Sequence, residues 1–126
     1  MSGPDRTLVL LRHAKSAYPA GVADHDRPLA PRGIREAGLA GDWLLANLAG
    51  IDEVLCSTAI RARQTLAHAG IDAAVRYVER LYDAAPGVVI DEINRVGDDV
   101  STLLVIGHEP AMSRVALGLA GADGTD

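Results

Sequence analysis

The chain has 126 residues, of which 48% are hydrophobic and 23% are charged, and this size and composition fit one globular domain. Its net charge of -5 at pH 7 argues against general nucleic-acid binding, because no surplus of Lys and Arg exists to displace counterions. No apolar run reaches the roughly 18 residues of a membrane span, no secretory leader is visible, and the single Cys56 cannot form an internal disulfide, so we expect a cytoplasmic protein without membrane contact.

Predicted strands alternate with predicted helices along the chain. In order, the elements are a strand at 7–12, a loop at 17–31, a helix at 32–48, a strand at 54–56, a helix at 59–69, a weaker strand at 74–78, a helix at 86–96, a strand at 103–106 and a helix from 110 to about 121. Ser57-Thr58 is predicted to cap the helix at 59–69, and Gly70 is predicted to end it. This alternation predicts an α/β domain with a largely parallel sheet.

Polar residues follow three of the predicted strands. They are Arg12-His13 after the first strand, Ser57 to Arg61 after the second and Gly107-His108-Glu109 after the last. Each segment alone is typical of a surface loop or a solvated helix face. Ligands of open α/β sheets bind at the carboxyl ends of the strands, so the three together predict one site.

The residue types at these strand ends suit the transfer of a phosphoryl group. Arg61, in the first turn of a helix, and Arg12 would grip an anion from two sides. A neutral His13 would attack phosphorus, and a protonated His108 would neutralise the equatorial oxygens without any metal. The chain has no zinc-ligand spacing, no Walker loop and no Gly-x-Gly-x-x-Gly fingerprint, and Arg61 follows Cys56 too closely for a cysteine-phosphatase loop. We therefore expect neither a metal nor a cofactor.

At these residues the chain resembles the histidine phosphatase superfamily, whose fold is phosphoglycerate-mutase-like. Three segments carry the resemblance. Leu11-Arg12-His13-Ala14-Lys15-Ser16 resembles the family's Arg-His-Gly signature, with Ala14 in place of Gly, and residues 57–65 resemble its Ser-Pro-x-x-Arg-Ala-x-Gln-Thr signature, with Thr58 in place of Pro. Gly107-His108 resembles the segment that carries the family's second histidine. The resemblance implies a single domain over residues 1–126, in three layers with a mostly parallel central sheet and helices on both faces.

The resemblance also implies roles for single residues. His13 would be the nucleophile, and Arg12, Arg61 and His108 would form the rest of the phosphate pocket. Ser16 would add a hydroxyl contact, and Arg27 would border the site or brace its loop. Within the superfamily, Asp26-Arg27-Pro28-Leu29 and Gly-His-Glu-Pro resemble the SixA-type phosphohistidine phosphatases.

The proton donor is open between three carboxyl groups. Glu79 is the candidate, because Glu79-Arg80-Leu81-Tyr82 resembles a stretch that carries the acid in larger relatives, and Asp83 and Glu109 are alternatives. A general acid is worth about 10²–10⁴ in rate, and an alkoxide leaving group needs one. An imidazole that leaves a phosphohistidine as a neutral ring needs less help, so a site without a strong acid would favour P–N substrates.

The function predicted from the sequence is a metal-independent phosphatase acting through a phosphohistidine intermediate on phosphohistidine in a signalling protein. The alternatives are a phosphatase of small phosphorylated metabolites and a module that binds phosphate without turnover. Family members commonly continue to a further strand after the helix that follows the second histidine. The chain is thus expected either to be trimmed or to lack one sheet edge, and its oligomeric state is open.

Overall fold

Four strands alternate with helices in a computed structural model that describes the backbone of residues 6–124 and the side chains of residues 6–119. The strands are β1 (Thr7–Arg12), β2 (Glu53–Ser57), β3 (Ala74–Val78) and β4 (Thr102–Gly107). The α-helices are α1 (Pro31–Asn47), α2 (Ile60–Ala69), α3 (Pro86–Asn94) and α4 (Ala111–Gly124). Two short 3₁₀ turns, Asp24–Asp26 and Glu79–Leu81, lie between β1 and α1 and between β3 and α3.

The strands form one sheet in the order β1-β4-β2-β3, and every neighbouring pair is parallel. β4 pairs with β1 along its whole length, from Thr102 opposite Thr7 to Gly107 opposite Arg12, and with β2 on its other side. Parallel neighbours need a crossover connection, which the helices between the strands supply. The predicted α/β class and parallel sheet are therefore confirmed.

Helices cover both faces of this sheet. The side chains of β4 alternate between the two faces and contribute to a separate hydrophobic core on each. Leu103 and Val105 pack with residues of α3 and α4, whereas Leu104 and Ile106 pack with residues of α1 and α2. The helix residues of the two cores include Val89, Ile93, Met112 and Val115 on the first face and Leu44, Ala62 and Leu66 on the second. Each such aliphatic side chain contributes roughly 1.5–3 kcal/mol on burial, which is enough to fix the three layers.

The predicted cap of α2 was wrong. Ala59 is its N-cap residue, and no described side chain bonds the free amides of the first turn of α2, although the Ser57 hydroxyl accepts from the amide of Ala59 itself at 3.3 Å. Ser57 is the last residue of β2 and fully buried, and the Thr58 hydroxyl lies 2.9 Å from Nε2 of His25. Both hydroxyls are thus directed toward other parts of the fold rather than into α2.

Helix ends differ from the predictions by one to three residues. α3 ends at Asn94, two residues early, because the amide of Arg95 already turns back to the carbonyls of Glu92 and Ile93. α4 continues to Gly124 rather than ending near Gly121. Among the described helices, none combines the length and the hydropathy that crossing a membrane requires.

Two glycines let α1 approach its neighbours closely. A Cβ built on Gly41 would lie 1.9 Å from the carbonyl oxygen of Ala69 in α2, and one on Gly33 would lie 2.0 Å from the carbonyl oxygen of Lys15. Any side chain at either position would displace backbone. Glycine therefore holds α1 against both α2 and the loop that follows β1.

Candidate active site

The polar residues that follow three strands meet at one edge of the sheet. Arg12 ends β1, Ser57 ends β2, and His108 follows β4. The amide of His13 donates to the carbonyl of Gly107 at 3.0 Å, which ties the end of β1 to the end of β4. As a result, the rings of His13 and His108 lie with centroids 5.0 Å apart.

His13 presents one ring nitrogen for chemistry. Its Nδ1 lies 2.7 Å from the carbonyl oxygen of Ala14, which can only accept, so Nδ1 carries the proton and Nε2 keeps its lone pair. Burial lowers the pKa of His13, and the positive charges of Arg61, Arg12 and Arg27 lower it further, against the opposing effect of the Ala14 hydrogen bond. The ring is therefore neutral near pH 7 and chemically able to attack phosphorus through Nε2.

His108 is more deeply buried than His13, and its Nε2 lies 2.7 Å from the hydroxyl of Ser57. Burial, together with the positive charges of Arg61 and of His13 when that ring is protonated, lowers the pKa of His108 to about 4. This pKa favours a neutral ring in the cleft, whereas the sequence suggested a protonated His108 beside the transferring phosphoryl group, and the charge of His108 during transfer stays a prediction. Three arginines already surround the site, and a buried imidazolium beside them would cost free energy. His108 instead offers a hydrogen bond from a neutral ring.

Arg61 is buried in the first turn of α2 and is held by Asp24. One terminal nitrogen donates to the backbone carbonyl of Asp24 at 2.6 Å, and the other donates to its carboxylate at 3.1 Å. The Nε of Arg61 and the Nδ1 of His108 are buried without a hydrogen-bond partner among the described residues. Buried polar groups are almost always paired in native proteins, so two unpaired nitrogens in one cleft point to a ligand that supplies the acceptor.

Asp24 is the functional residue that the sequence reasoning missed. Its carboxylate also accepts from the hydroxyl of Tyr82 at 2.5 Å and from Nε of Arg27 at 3.0 Å. The hydrogen bond from Tyr82, followed by those from Arg27 and Arg61, holds the pKa of Asp24 well below its usual range. Asp24 therefore stays ionised and joins three side chains of the site. The signal in the sequence was the charge-rich Asp24-His25-Asp26-Arg27 run, but nothing there identified its contact with α2.

Arg27 and Ser16 both line the cleft described below, and they contact each other. Arg27 donates to the Ser16 hydroxyl at 2.8 Å and to the carbonyl of Ala17 at 3.0 Å. Its guanidinium also lies 4.0 Å from the ring centroid of the exposed Tyr18. Arg27 thus braces the loop and borders the site at the same time.

These groups line a cleft of about 260 Å³ that is rich in positive charge. Its walls are made by Arg12, His13, Lys15, Ser16, Tyr18, Arg27, Arg61, His108 and Glu109. Four of these nine residues are Arg or Lys, and a dianion with tetrahedral oxygens matches such a set. In the part of the chain that the structure describes, no group of three His, Cys, Asp or Glu residues could hold a metal ion.

The three candidate proton donors, Glu79, Asp83 and Glu109, differ in whether they line a cleft of the site. Glu79 is exposed in its 3₁₀ turn and lines neither this cleft nor the adjoining one of about 120 Å³. Asp83 and Glu109 line the adjoining cleft with Asp24. Two hydrogen bonds from Ser113, by its hydroxyl and its amide, lower the pKa of Glu109, so Glu109 is a weak source of a proton. The structure thus does not bring the predicted acid Glu79 to the nucleophile.

Comparison with known proteins shows the family to which the chain belongs. The sequence profile of the histidine phosphatase superfamily (branch 1) matches residues 8–116. An uncharacterised protein of Mycobacterium tuberculosis is 75% identical over 116 residues, which make up 92% of this chain and 73% of that protein. The phosphohistidine phosphatase SixA of Escherichia coli (strain K12) is 30% identical over 117 residues, covering 82% of this chain and 67% of that protein.

The fold is also similar to that of solved structures. The structure of a protein assigned to SixA from Nakamurella multipartitia superposes with a TM-score of 0.87 at 45% sequence identity. The match covers 95% of this chain and 72% of that one. The two proteins therefore share the fold over nearly the whole of this chain.

Proposed function

Since the chain belongs to the histidine phosphatase superfamily, branch 1, we propose that it removes phosphate from phosphohistidine side chains of proteins through a covalent intermediate on His13. That it is a phosphatase, and so a hydrolase, follows from the family and from its SixA relatives. One observation carries the proposal. The neutral His13 shares a cation-lined cleft with two buried nitrogens, Arg61 Nε and His108 Nδ1, that have no hydrogen-bond partner in the described part of the chain.

The reaction proceeds in two displacements. Nε2 of His13 attacks phosphorus while the bond from phosphorus to the substrate nitrogen breaks. The electron pair of that bond stays on the substrate imidazole, whose other ring nitrogen carries a proton, so the ring leaves neutral. Arg12, Arg61 and His108 stabilise the negative charge of the transferring phosphoryl group. Water then attacks the phosphorus on His13, both protons of that water leave with the phosphate as dihydrogen phosphate, and the electron pair of the broken P–N bond returns to Nε2.

The position of the carboxyl groups supports a P–N substrate. Glu109 is ionised and bound to Ser113, and Glu79 is exposed outside the cleft. An alkoxide leaving group loses about 10²–10⁴ in rate without a general acid, whereas a neutral imidazole leaves unaided. Asp83 lines the adjoining cleft and is absent from the lining of the cleft that holds His13. With Glu109 ionised and the phosphate ligands intact, that cleft discriminates in favour of phosphohistidine.

The rim of the cleft supports a substrate carried on a protein. Arg12, Lys15 and Tyr18 are exposed at the rim. The loop that carries Arg27 and Asp24 lies against α2 through the Arg61 contact, so it walls the cleft on one side. A phosphorylated side chain can enter such a cleft while its protein stays outside.

The cytoplasmic location expected from the single cysteine stays a prediction.

Trapping the phosphoenzyme tests the proposal. Acid-labile, base-stable phosphate is expected on the parent after a rapid quench, with its position mapped to His13. His13→Ala is expected to give no covalent phosphate, whereas His68→Ala, at an exposed position in the last turn of α2, is expected to behave like the parent. Phosphate trapped on another residue, or a fully active His13→Ala protein, would refute the covalent mechanism.

Substrate class needs a second comparison in the same assay. We expect kcat/KM for a phosphohistidine protein to exceed that for sugar phosphates and nucleotides by at least the roughly 10²-fold that a missing general acid costs. Activity is expected to persist in chelator. A preference for the small esters would replace the protein substrate by a metabolite, and phosphate binding without any turnover would make the domain a binding module.

A further inference from the structure

Ser57 and His108 form a buried pair at the floor of the cleft. Ser57 is 0% exposed and His108 is 8% exposed, and their Oγ and Nε2 atoms lie 2.7 Å apart. We propose that Ser57 is a positioning residue: its hydroxyl donates to Nε2 of His108 and thereby keeps the His108 proton on Nδ1, where it serves the transferring phosphoryl group.

The hydroxyl proton of Ser57 needs a buried acceptor. The oxygen already accepts from the amide of Ala59 at 3.3 Å. The proton needs an acceptor of its own, and solvent does not reach the fully buried side chain. Among the described residues, Nε2 of His108 is the atom within hydrogen-bond distance that can accept it. Ser57 therefore donates, and Nε2 carries the lone pair.

The other tautomer would be worse on two counts. With the proton on Nε2, His108 would donate to Ser57 and leave the serine proton without an acceptor. Nδ1 would then carry a buried lone pair, which has no partner in the described protein and repels an anion. The Nδ1–H tautomer leaves a single group unpaired, a donor, and that is the group that phosphate satisfies.

The tautomer matters because His108 is neutral. An imidazolium would donate from both nitrogens whatever Ser57 did, but a neutral ring has one proton to place. Burial, the charge of Arg61 and the repulsion from a protonated His13 lower the pKa of His108, so the neutral form predominates. In this form, Ser57 decides whether the ring faces phosphate as a donor or as an acceptor.

The two histidines present opposite ring nitrogens to the phosphoryl group, one with a lone pair and one with a proton. The Ala14 carbonyl holds the proton of His13 on Nδ1 and frees Nε2 as the nucleophile, whereas Ser57 occupies Nε2 of His108 and frees Nδ1 as a donor. Two rings with centroids 5.0 Å apart thus present opposite polarity to one phosphoryl group. The part of the inference that concerns turnover rests on the proposed function, and the part that concerns the proton does not.

Nitrogen-15 NMR of the histidine-labelled full chain tests the position of the proton directly. The chain has four histidines, and comparison with His108→Gln assigns the His108 signals. Near pH 7 the parent is expected to show a protonated Nδ1 and an unprotonated Nε2. Ser57→Ala is expected to shift the population toward Nε2–H, and Ser57→Thr, which keeps the hydroxyl, is expected to restore the parent signals.

Activity supplies the second readout. Losing one directed hydrogen bond to the phosphoryl group is expected to lower kcat/KM of Ser57→Ala by about 10-fold or more. Ser57→Thr is expected to recover most of it, and the control Ser101→Ala, at an exposed serine before β4, is expected to match the parent.

An Nε2–H tautomer in the parent would overturn the inference even if the threonine variant failed to fold. So would a Ser57→Ala protein with unchanged tautomer and kcat/KM. A parent that shows Nδ1–H, and loses it in Ser57→Ala, supports the assignment of the proton even without turnover of phosphohistidine. That lack of turnover would refute the proposed function alone.

Discussion

Gly33, in the first turn of α1, tests how closely the site depends on the backbone behind the nucleophile. A Cβ on this residue would lie 2.0 Å from the carbonyl oxygen of Lys15 and 2.9 Å from its carbonyl carbon, two residues beyond His13. Ordinary contacts require at least about 3 Å, so Gly33→Ala must separate the two backbones by about 1 Å. The Lys15 carbonyl also accepts from the amide of Ala30 at 2.9 Å, so it is not free to move alone.

The magnitude of this perturbation follows from general values. A misplacement of about 1 Å costs about 100-fold in rate, and overpacking costs about 1–3 kcal/mol. For a chain of this length, about 1 kcal/mol shifts Tm by about 4 °C. We therefore expect Gly33→Ala to lower kcat/KM by about 100-fold and Tm by about 4–12 °C, measured with a generic aryl phosphate and by calorimetry.

Gly38→Ala is the matched control in the same helix. The nearest atom to its new methyl group would be the carbonyl oxygen of His68 at 3.9 Å, an ordinary contact. Alanine is favoured over glycine in a helix by about 0.8–1 kcal/mol, so Gly38→Ala is expected to raise Tm by about 3–4 °C with activity intact. If Gly33→Ala had parental activity and an equal or higher Tm, the close approach of α1 to the loop after His13 would not be needed.

Three further predictions concern single groups. Protonation of His13 removes the lone pair that attacks phosphorus, so kcat/KM is expected to fall as the pH falls through its lowered pKa. A pH–rate profile whose acidic limb lies at or above the pKa of an ordinary histidine would contradict the burial argument. Cys56 is fully buried, and burial raises the pKa of its thiol to about 12, so a disulfide reagent is expected to label it only after unfolding. Rapid labelling of the native protein would show that β2 opens locally. Thr65 accepts from the amide of Ala14 at 3.0 Å and donates to the carbonyl of Arg61 at 2.7 Å, so Thr65→Val is expected to cost about 1–3 kcal/mol in urea unfolding. Unchanged stability would mean that the Ala14 amide finds another partner.

The strands could be predicted from the sequence because a buried strand is a short run of apolar residues. β4 is buried on both faces and reads as an unbroken apolar run, Leu103 to Ile106. β3 is an edge strand with Ala74, Arg76 and Tyr77 exposed, which is why its signal was weaker. The strand-end residues Arg12, His13, Arg61 and His108 follow from the same pattern, because parallel strands bring their carboxyl ends together.

The electrostatics of the site could not be predicted in this way. The contact of Asp24 with Arg61 joins residues 37 positions apart, and no spacing rule reports it. The charge of His108 depends on burial among other cations, which a sequence does not specify. The sequence indicates Ser57 as a helix cap because Ser commonly precedes helices, but its hydroxyl bonds His108 and the amide of Ala59, which lies before the first turn of α2.

The central position of β4 determines how the site resists local unfolding. It lies between β1 and β2, and its last residue accepts the amide of His13, so the chain segments that carry His13, Ser57 and His108 all extend from this one strand or its direct partners. Amide protons of such a central, fully buried strand exchange with solvent only through global unfolding, whereas surface loops open at far lower free energy. The strand ends that carry His13, Ser57 and His108 are therefore expected to belong to the last part of the molecule to lose its structure. Partial unfolding would release the surrounding loops well before it separated β1 from β4, and so His13 from His108.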